Sequence, residues 1–323
     1  MVAEFEGVPV YHPRTFIPRP SRFFSGDAWD REANTLIDYC RRKPELRAAD
    51  IVVGHFMLPD GYHALRLGRA LGIPVAAVAW GDDVHAWPAE RPYWRDRLRD
   101  VLTGVDLPIA CSQRLVDDGN SWLDAPRDDW QVVYGGVDVD RFFPPDDRAS
   151  ARARVSIPLL HRLPPSERVM LMVGQRVRAK GYVDLLDAWG RLGAAAERWH
   201  LVMVGADWGD VDIVSEIAMR RLSEQVHWIG PCPAEDMPAL LRAVDAFVLP
   251  SHNEGLSLTM LEAMASALPT IATNVGGHAE VITSSEEGWL IPAKDVSTLE
   301  SALRELMTDE SERRRRSRGA RRA

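Results

Sequence analysis

The chain is poor in the features that tie a protein to a membrane, a metal ion or an oxidising compartment. No stretch of 18 apolar residues occurs in its 323 residues, so no segment reads as a membrane-spanning helix. The opening M-V-A-E-F-E-G is acidic and lacks an apolar core, unlike a secretory signal. Cys40, Cys111 and Cys232 are scattered, odd in number and without metal-ligand spacing; reduced thiols in a cytoplasmic protein are the simplest account. Surplus positive charge is missing too. The formal charge is −8, and without the seven arginines at positions 313–316, 318, 321 and 322 the rest carries −15, which excludes nucleic-acid binding by general electrostatics. The arginine run itself reads as a solvated helix end. The alternative is peripheral contact with anionic headgroups at the inner membrane face, at about 1 kcal/mol per residue near the surface.

What is present is a globular composition, 46% hydrophobic and 27% charged, at a length that suits two domains. Short apolar runs alternate with helical patterns, the rhythm of βα units feeding a parallel sheet. Strands are predicted at 8–11, 51–54, 75–79, 107–110 and 131–134, with helices near 28–43, 61–71, 92–103 and 112–119. Proline-rich, charged sequence at 143–168 separates the halves. Strands then recur at 169–173, 200–204, 226–229, 246–249 and 270–272, with helices near 180–193, 211–223, 234–243, 257–267 and 295–307. The expected organisation is two doubly wound α/β domains, residues 1–148 and 149–323, with ligands at the carboxyl ends of the strands.

The richest segment is S-H-N-E-G-L-S-L-T-M-L-E-A-M-A at 251–265, followed by P-T-I-A-T-N-V-G-G at 269–277. A helix starting near Ser257 exposes the amides of Gly255, Leu256, Ser257 and Leu258 at the positive end of its dipole, a seat for a phosphate. Glu254 precedes that seat and Glu262 lies eight residues further on, about 12 Å along a helix. Paired glycosidase carboxylates stand roughly 5 to 9.5 Å apart. The wider spacing suits a ligand with hydroxyls at each end and a diphosphate between, the shape of a sugar nucleotide.

In this setting the pattern P-S-x-x-E-G-x-x-L-x-x-L-E-A-M-A-x-x-x-P, with T-x-x-G-G after it, resembles the donor site of family-4 retaining glycosyltransferases of the GT-B fold. V-G-Q-R-V-R-A-K-G at 173–181 resembles the family's V-G-R-x-x-x-x-K-G, whose arginine and lysine hold the donor diphosphate. Lys180 matches that lysine and Gly174 the glycine. The arginine is displaced by one residue, to Arg176, which on a strand turns a side chain to the opposite face; Arg178 is the fallback. The resemblance implies GT-B architecture with two facing Rossmann-like domains.

The amino-terminal half resembles the family less closely. G-H-F-M-L-P-D-G at 54–61 is similar to H-x-x-x-P-x-G, and G-D-D at 81–83 to G-[ST]-D. His55 and Asp83 are therefore the acceptor-side candidates, although a histidine packed beneath a loop is an equal reading. Where many relatives carry a histidine before G-[ST]-D this chain has Trp80, so that role is absent or moved to His55 or His85. Ser112 reads as a helix cap. G-G-V-D-x-x-R-F at 135–142 resembles a hallmark of the domain junction. Asp138 and Asp140, like Asp210 and Asp212, mimic a metal-binding D-x-D but sit where aspartates serve turns and helix starts; no metal and no cofactor are expected. Relatives begin about two βα units earlier and run further at the carboxyl end, so the first domain is expected to be incomplete.

The resemblance implies transfer of a sugar from a nucleoside-diphosphate sugar to a glycan, lipid-linked or small-molecule acceptor hydroxyl, with retention of configuration. Glu254, Lys180 and Arg176 would carry the chemistry. Gly255, Leu256, Ser257, Leu258, Glu262 and Gly174 would hold the donor. The rival reading is a degenerate homologue that binds sugar nucleotides as a partner protein. An epimerase or phosphorylase of similar fold would need a catalytic set that is not visible.

Overall fold

The computed structural model describes residues 2–13 and 25–323. The chain forms two compact units, Met1–Tyr134 and Gly135–Ala323. In the first, β1 (Val2–Phe5) and β2 (Val8–Tyr11) make an antiparallel hairpin across Glu6 and Gly7, both at positive φ, the backbone that a two-residue turn requires. The strand expected at 8–11 thus exists, but it pairs with β1 rather than in the parallel sheet. That sheet runs in the order β3 (Val52–His55), β4 (Val75–Ala79), β5 (Leu107–Ala110), β6 (Gln131–Val132), all parallel. β4, an unbroken V-A-A-V-A, is buried along its whole length, as an inner strand covered on both faces must be. Ser112 caps the helix Gln113–Asn120, its Oγ accepting from the Leu115 amide at 3.3 Å.

The second unit has a six-stranded parallel sheet in the order β12-β11-β10-β7-β8-β9: Trp289–Ile291, Thr270–Thr273, Ala246–Leu249, Arg168–Val173, Trp199–Val204 and Val226–Gly230. Its core lies on both sheet faces; Leu185, Leu186 and Trp189 from the helix Tyr182–Gly190 pack with Met170, Met172 and Leu201. Chain order runs outward from β7 to β8 and β9 on one side, and from β10 to β11 and β12 on the other. The connections leaving β7 and β10 therefore depart to opposite flanks, and a crevice opens between their carboxyl ends.

The units part at residue 134, earlier than the expected boundary at 148. The reason is that residues 135–147 are tied to the second unit: the Arg141 carbonyl accepts from Arg242 at 3.1 Å and the Phe142 carbonyl from Arg321 at 3.2 Å, while Asp147 caps the helix Arg148–Arg152.

The terminal arginine run is no solvated tail. Within the helix Glu310–Arg322, Arg316 lies over the Trp289 ring at 4.0 Å and donates to the Gly288 carbonyl at 2.7 Å. Arg313 donates to the Leu306 carbonyl at 2.9 Å and Arg321 to the Ala265 carbonyl at 2.8 Å. Arg314 and Arg315 pair with Glu310 and Glu312. The charges that suggested lipid headgroups are largely spent on holding this helix against its own unit. No helix among the described residues is long and apolar enough to cross a membrane.

Candidate functional site

The crevice between β7 and β10 receives two loops. The loop after β7 runs from Gly174 through a single 3-10 turn, Arg178–Lys180, into the helix Tyr182–Gly190. The loop after β10 runs from Pro250 to Ser257, which caps the helix Leu258–Ala265 by accepting from the Met260 amide at 3.3 Å. Two contacts clamp the loops together: the His252 amide donates to the Ala179 carbonyl at 2.7 Å, and the His252 ring meets Asp184 at 2.7 Å. Gly181 sits at φ +72° against the Pro250 carbonyl, where a Cβ would overlap it. The helix start that was read from the sequence is one residue from the observed one.

Across this crevice Lys180 Nζ stands 2.7 Å from Glu254 Oε1, and Ser251 Oγ donates to the same oxygen at 2.7 Å. The pair is largely enclosed, the side chains being 23% and 12% exposed, so its attraction is screened less than that of a surface pair. Lysine is scarce here; the other two among 39 basic residues are Lys43 and Lys294. Its compact ammonium acts as a point charge that a guanidinium fork does not copy. The Lys180 stem packs beside Gly174, its Cγ at an ordinary contact distance of 3.4 Å from where a Cβ would be, and the Gly174 carbonyl accepts from the Tyr182 hydroxyl at 2.6 Å.

Beside the pair, the amides of Gly255, Leu256, Ser257 and Leu258 have no hydrogen-bond partner among the described residues; Ser257 and Leu258 open the helix, whose first turn leaves such amides free, and Gly255 and Leu256 lie in the loop before it. Their carbonyl neighbours are fixed: the Gly277 amide donates to the Gly255 carbonyl at 2.6 Å, and Gly276, at φ +52°, lies so close to the Glu254 and Gly255 carbonyls that a Cβ there would collide with both. The T-x-x-G-G segment is thus the floor of the loop. Glu262, one turn into the helix, is half-buried; burial pushes its carboxyl above the usual range, and Arg141 pulls it back.

Ser251 and His278 are functional neighbours that spacing alone did not single out. Thr273 Oγ1 donates to the Ser251 carbonyl at 2.5 Å, and His278 Nδ1 donates to the Thr273 carbonyl at 2.9 Å. That bond leaves Nε2 as the acceptor. His278 is fully buried, and its Nε2 has no partner among the described residues. Burial pushes its pKa down, Glu254 and the Thr273 bond raise it, and Lys180 lowers it further.

Arg176 is not in this group. Its Nε donates to Asp207 Oδ1 at 2.9 Å, and its guanidinium also reaches the Val211 carbonyl, so the one-residue displacement turns it to the loop after β8. Arg178 is exposed, and its amide is held by Asp210 at 2.9 Å. The D-x-D candidates likewise serve the backbone: Asp138 accepts from the Asp140 and Arg141 amides at 3.0 and 3.2 Å, and Asp212 from the Ser215 amide at 3.2 Å. Among the described residues no three side chains are grouped to hold a metal ion.

In the first unit, His55 is exposed at the end of β3 and its ring stacks on Trp80, centroids 6.2 Å apart and planes 24° from parallel. The tryptophan that departs from the family pattern is therefore the surface on which His55 leans. Asp83, expected near an acceptor, is fully buried. It accepts from the amides of Met57 at 2.6 Å, Gly81 at 2.8 Å and Trp80 at 3.1 Å, a bracket that fixes the two loops carrying His55 and Trp80. Burial raises its pKa to about 6, against the lowering effect of those amides. His85 bridges Asp118 at 3.4 Å and Asp82 at 3.7 Å; although burial alone would lower its pKa, the two carboxylates raise it to about 9.

Residues 160–323 match the family model described as glycosyl transferases group 1, and residues 3–141 match glycosyltransferase family 4. A D-inositol 3-phosphate glycosyltransferase of Corynebacterium jeikeium is 31% identical over 66% of this chain and 51% of its own length. The chain thus spans about half of that relative. Among solved structures, sucrose-phosphate synthase of Thermosynechococcus elongatus superposes with a TM-score of 0.81 at 21% identity, covering 99% of this chain and 79% of that one. Anabaena HepE in complex with UDP and glucose gives 0.75 at 17% identity, over 90% and 75%.

Proposed function

The chain belongs to the group 1 glycosyl transferases, and from that premise we propose that it moves a sugar from a nucleoside-diphosphate sugar to an acceptor hydroxyl, with retention of anomeric configuration. The observation that carries the reading is the Lys180–Glu254 pair at the divergence of β7 and β10, with four unpartnered amides beside it. A fold neighbour crystallised with UDP and glucose supports a nucleotide donor. The diphosphate takes Lys180 and the amides of Gly255, Leu256, Ser257 and Leu258, and displaces Glu254 from the ammonium. Glu254 then accepts from the donor sugar hydroxyls, and Glu262 from the ribose. Arg176, committed to Asp207, positions its loop.

As the bond from the anomeric carbon to the diphosphate oxygen breaks, negative charge grows on the phosphate while the sugar becomes cation-like. Donors already aimed at that phosphate stabilise the change without reorganisation, about 3 kcal/mol for each. The acceptor oxygen attacks from the same face and its proton passes to the departing phosphate, so no separate base is needed. The acceptor is a glycan, lipid-linked or small-molecule hydroxyl, with His55 a candidate acceptor-side residue, in a cytoplasmic setting that fits three scattered thiols.

The test is calorimetry with UDP, GDP and ADP, followed by chromatography of nucleoside diphosphate released from the matching sugar donors and NMR of the product anomer. Lys180→Ala and Glu254→Ala should each lower transfer by about 10²- to 10³-fold. Absence of affinity for every nucleoside diphosphate, or near-normal turnover in either variant, ends the reading.

A further inference from the structure

At the opposite end of the second sheet, around the amino ends of β7 and β10, lies a cavity of about 650 Å³ walled by Arg148, Arg152, Arg168 and Asp245. A side chamber of about 160 Å³ shares Arg148, Arg168 and Asp245 and adds Arg313. Four guanidinium groups from three elements, Arg148 and Arg152 on one short helix, Arg168 at the start of β7 and Arg313 on the last helix, thus surround one carboxylate. The other charges on the walls do not redress the balance: Asp147 is turned to the Ser150 amide and hydroxyl at 2.8 and 2.6 Å, and Glu310 is matched by Arg314 at 2.5 Å.

The arginines differ in how far they are used. Arg152 is spent: it donates to the Ala243 and Glu167 carbonyls at 3.0 and 2.8 Å and to Asp245. Arg148 donates from Nη1 alone, to the Val244 carbonyl, and Arg168 from Nη1 alone, to Asp245 at 3.3 Å. Arg313 donates from Nη1 alone, to the Leu306 and Met307 carbonyls. A guanidinium has five N–H donors, so among the described residues these three, which line the smaller chamber together, keep donors without a partner. The crowding is felt: burial lowers the Arg148 pKa, Asp245 raises it, and Arg152 and Arg168 lower it further; for Arg313, burial and then Arg168 act in the lowering direction. Arg313 is buried, Arg148 half-buried and the Arg168 side chain 42% exposed; cations brought this close are costly unless an anion joins them. A phosphate dianion accepts from several guanidinium groups at once. The main chamber, with Leu160 and Leu163 on its wall, is in the size range of small-molecule sites.

We propose that this cavity binds a phosphate-bearing small molecule, the phosphate held by Arg148, Arg168 and Arg313 and the remainder lying along the Leu160 and Leu163 wall. The site is separate from the Lys180 crevice, and its occupancy does not depend on the catalytic reading. Calorimetry at fixed low ionic strength would compare glucose 6-phosphate, inorganic phosphate and glucose, using the full chain and Lys180→Ala, which removes the cation of the other anion seat. Binding of a phosphate by both proteins, about tenfold or more weaker in Arg168→Gln and Arg148→Lys, is the expected result. Glucose 6-phosphate binding more tightly than phosphate marks a phosphorylated sugar as the ligand; equal affinities would show that the Leu160 and Leu163 wall holds nothing and would reduce the site to a seat for free phosphate, overturning that part of the proposal. Should both arginine variants fail to fold, phenylglyoxal labelling of the unaltered chain, read by mass spectrometry, gives the same answer through phosphate protection of Arg168. The proposal is overturned if no phosphate binds, if Lys180→Ala abolishes the binding, or if neither substitution nor labelling responds.

Discussion

Gly181→Ala is expected to damage the crevice without touching anything in it. Gly181 lies between Lys180 and the helix Tyr182–Gly190, at φ +72°, a left-handed conformation that costs an alanine about 1–2 kcal/mol. Space is the larger problem. A Cβ would lie 2.8 Å from the Pro250 carbonyl carbon, against ordinary contact from 3.4 Å, and closer still to the oxygen. The loop must therefore retreat from the end of β10 by more than half an ångström. Lys180 and Glu254 are carried by the two parts that separate, and their 2.7 Å contact has no slack to absorb it. Misplacement on the order of 1 Å costs about 10²-fold in a positioned reaction. The expected outcome is a loss of about 10²-fold in kcat of donor turnover, with a folded protein less stable by a few kcal/mol in urea titration. Gly190→Ala is the control: it closes the same helix, meets nothing within 4 Å, and should be neutral or stabilising by up to about 1 kcal/mol. Full turnover in Gly181→Ala would refute the idea that this close approach sets the spacing of the pair.

Glu262→Gln, which keeps the shape of a half-buried carboxyl but not its charge, should raise KM for the donor by about tenfold while leaving kcat within about threefold; a collapse of kcat alone would assign Glu262 to the chemistry. Asp83 has a folded pKa raised from 3.8 to about 6. Its contribution to stability is therefore whole below about pH 4 and is lost as pH rises through about 6, by at most about 3 kcal/mol. Urea titrations between pH 4 and 7 should show that decline, and Asp83→Asn should flatten it; an identical slope in the variant removes the assignment. Arg316→Ala, which deletes the stack on Trp289 and the bond to the Gly288 carbonyl, should destabilise the chain by about 2–4 kcal/mol. Arg318→Ala, at an exposed position, should change stability by under about 0.5 kcal/mol. Equal melting curves for the two would return the run to the role of a solvated tail.

The doubly wound α/β units were legible in the sequence because their evidence is local, β4 and β10 declaring themselves by unbroken apolar runs; the GT-B class came from the resemblance of the motifs around Lys180 and Glu254. The capped helix start at Ser257 follows from residue types one turn apart. Lys180 was legible through its match to the lysine of the family's V-G-R-x-x-x-x-K-G segment. Arg176 was not, since the direction of a long side chain depends on which acid the next loop offers, and Asp207 comes 31 residues later. Asp83 looks from its neighbours like a surface acid; the amide of Met57, brought in from the preceding strand's loop, joins those of Trp80 and Gly81 in holding it inward. The strand Val2–Phe5 was hidden by a glutamate inside it, Glu4, and another just after it, Glu6. The terminal arginines misled because a string of like charges says nothing about carbonyls and rings contributed from residues far up the chain.

The order of the second sheet also bears on how the crevice comes into being. Lys180 and Glu254 are 74 residues apart in the chain and meet only once β7 and β10 lie side by side, the pairing that joins the two flanks. Strands β7, β8 and β9 can associate as a run of neighbours along the chain, and so can β10, β11 and β12, but neither half alone holds both members of the ion pair. Closing so long a loop precedes any reward from the contact it brings together. Recovery of the anion seat during refolding is therefore a clock for the joining of the halves, running behind any signal of helix formation.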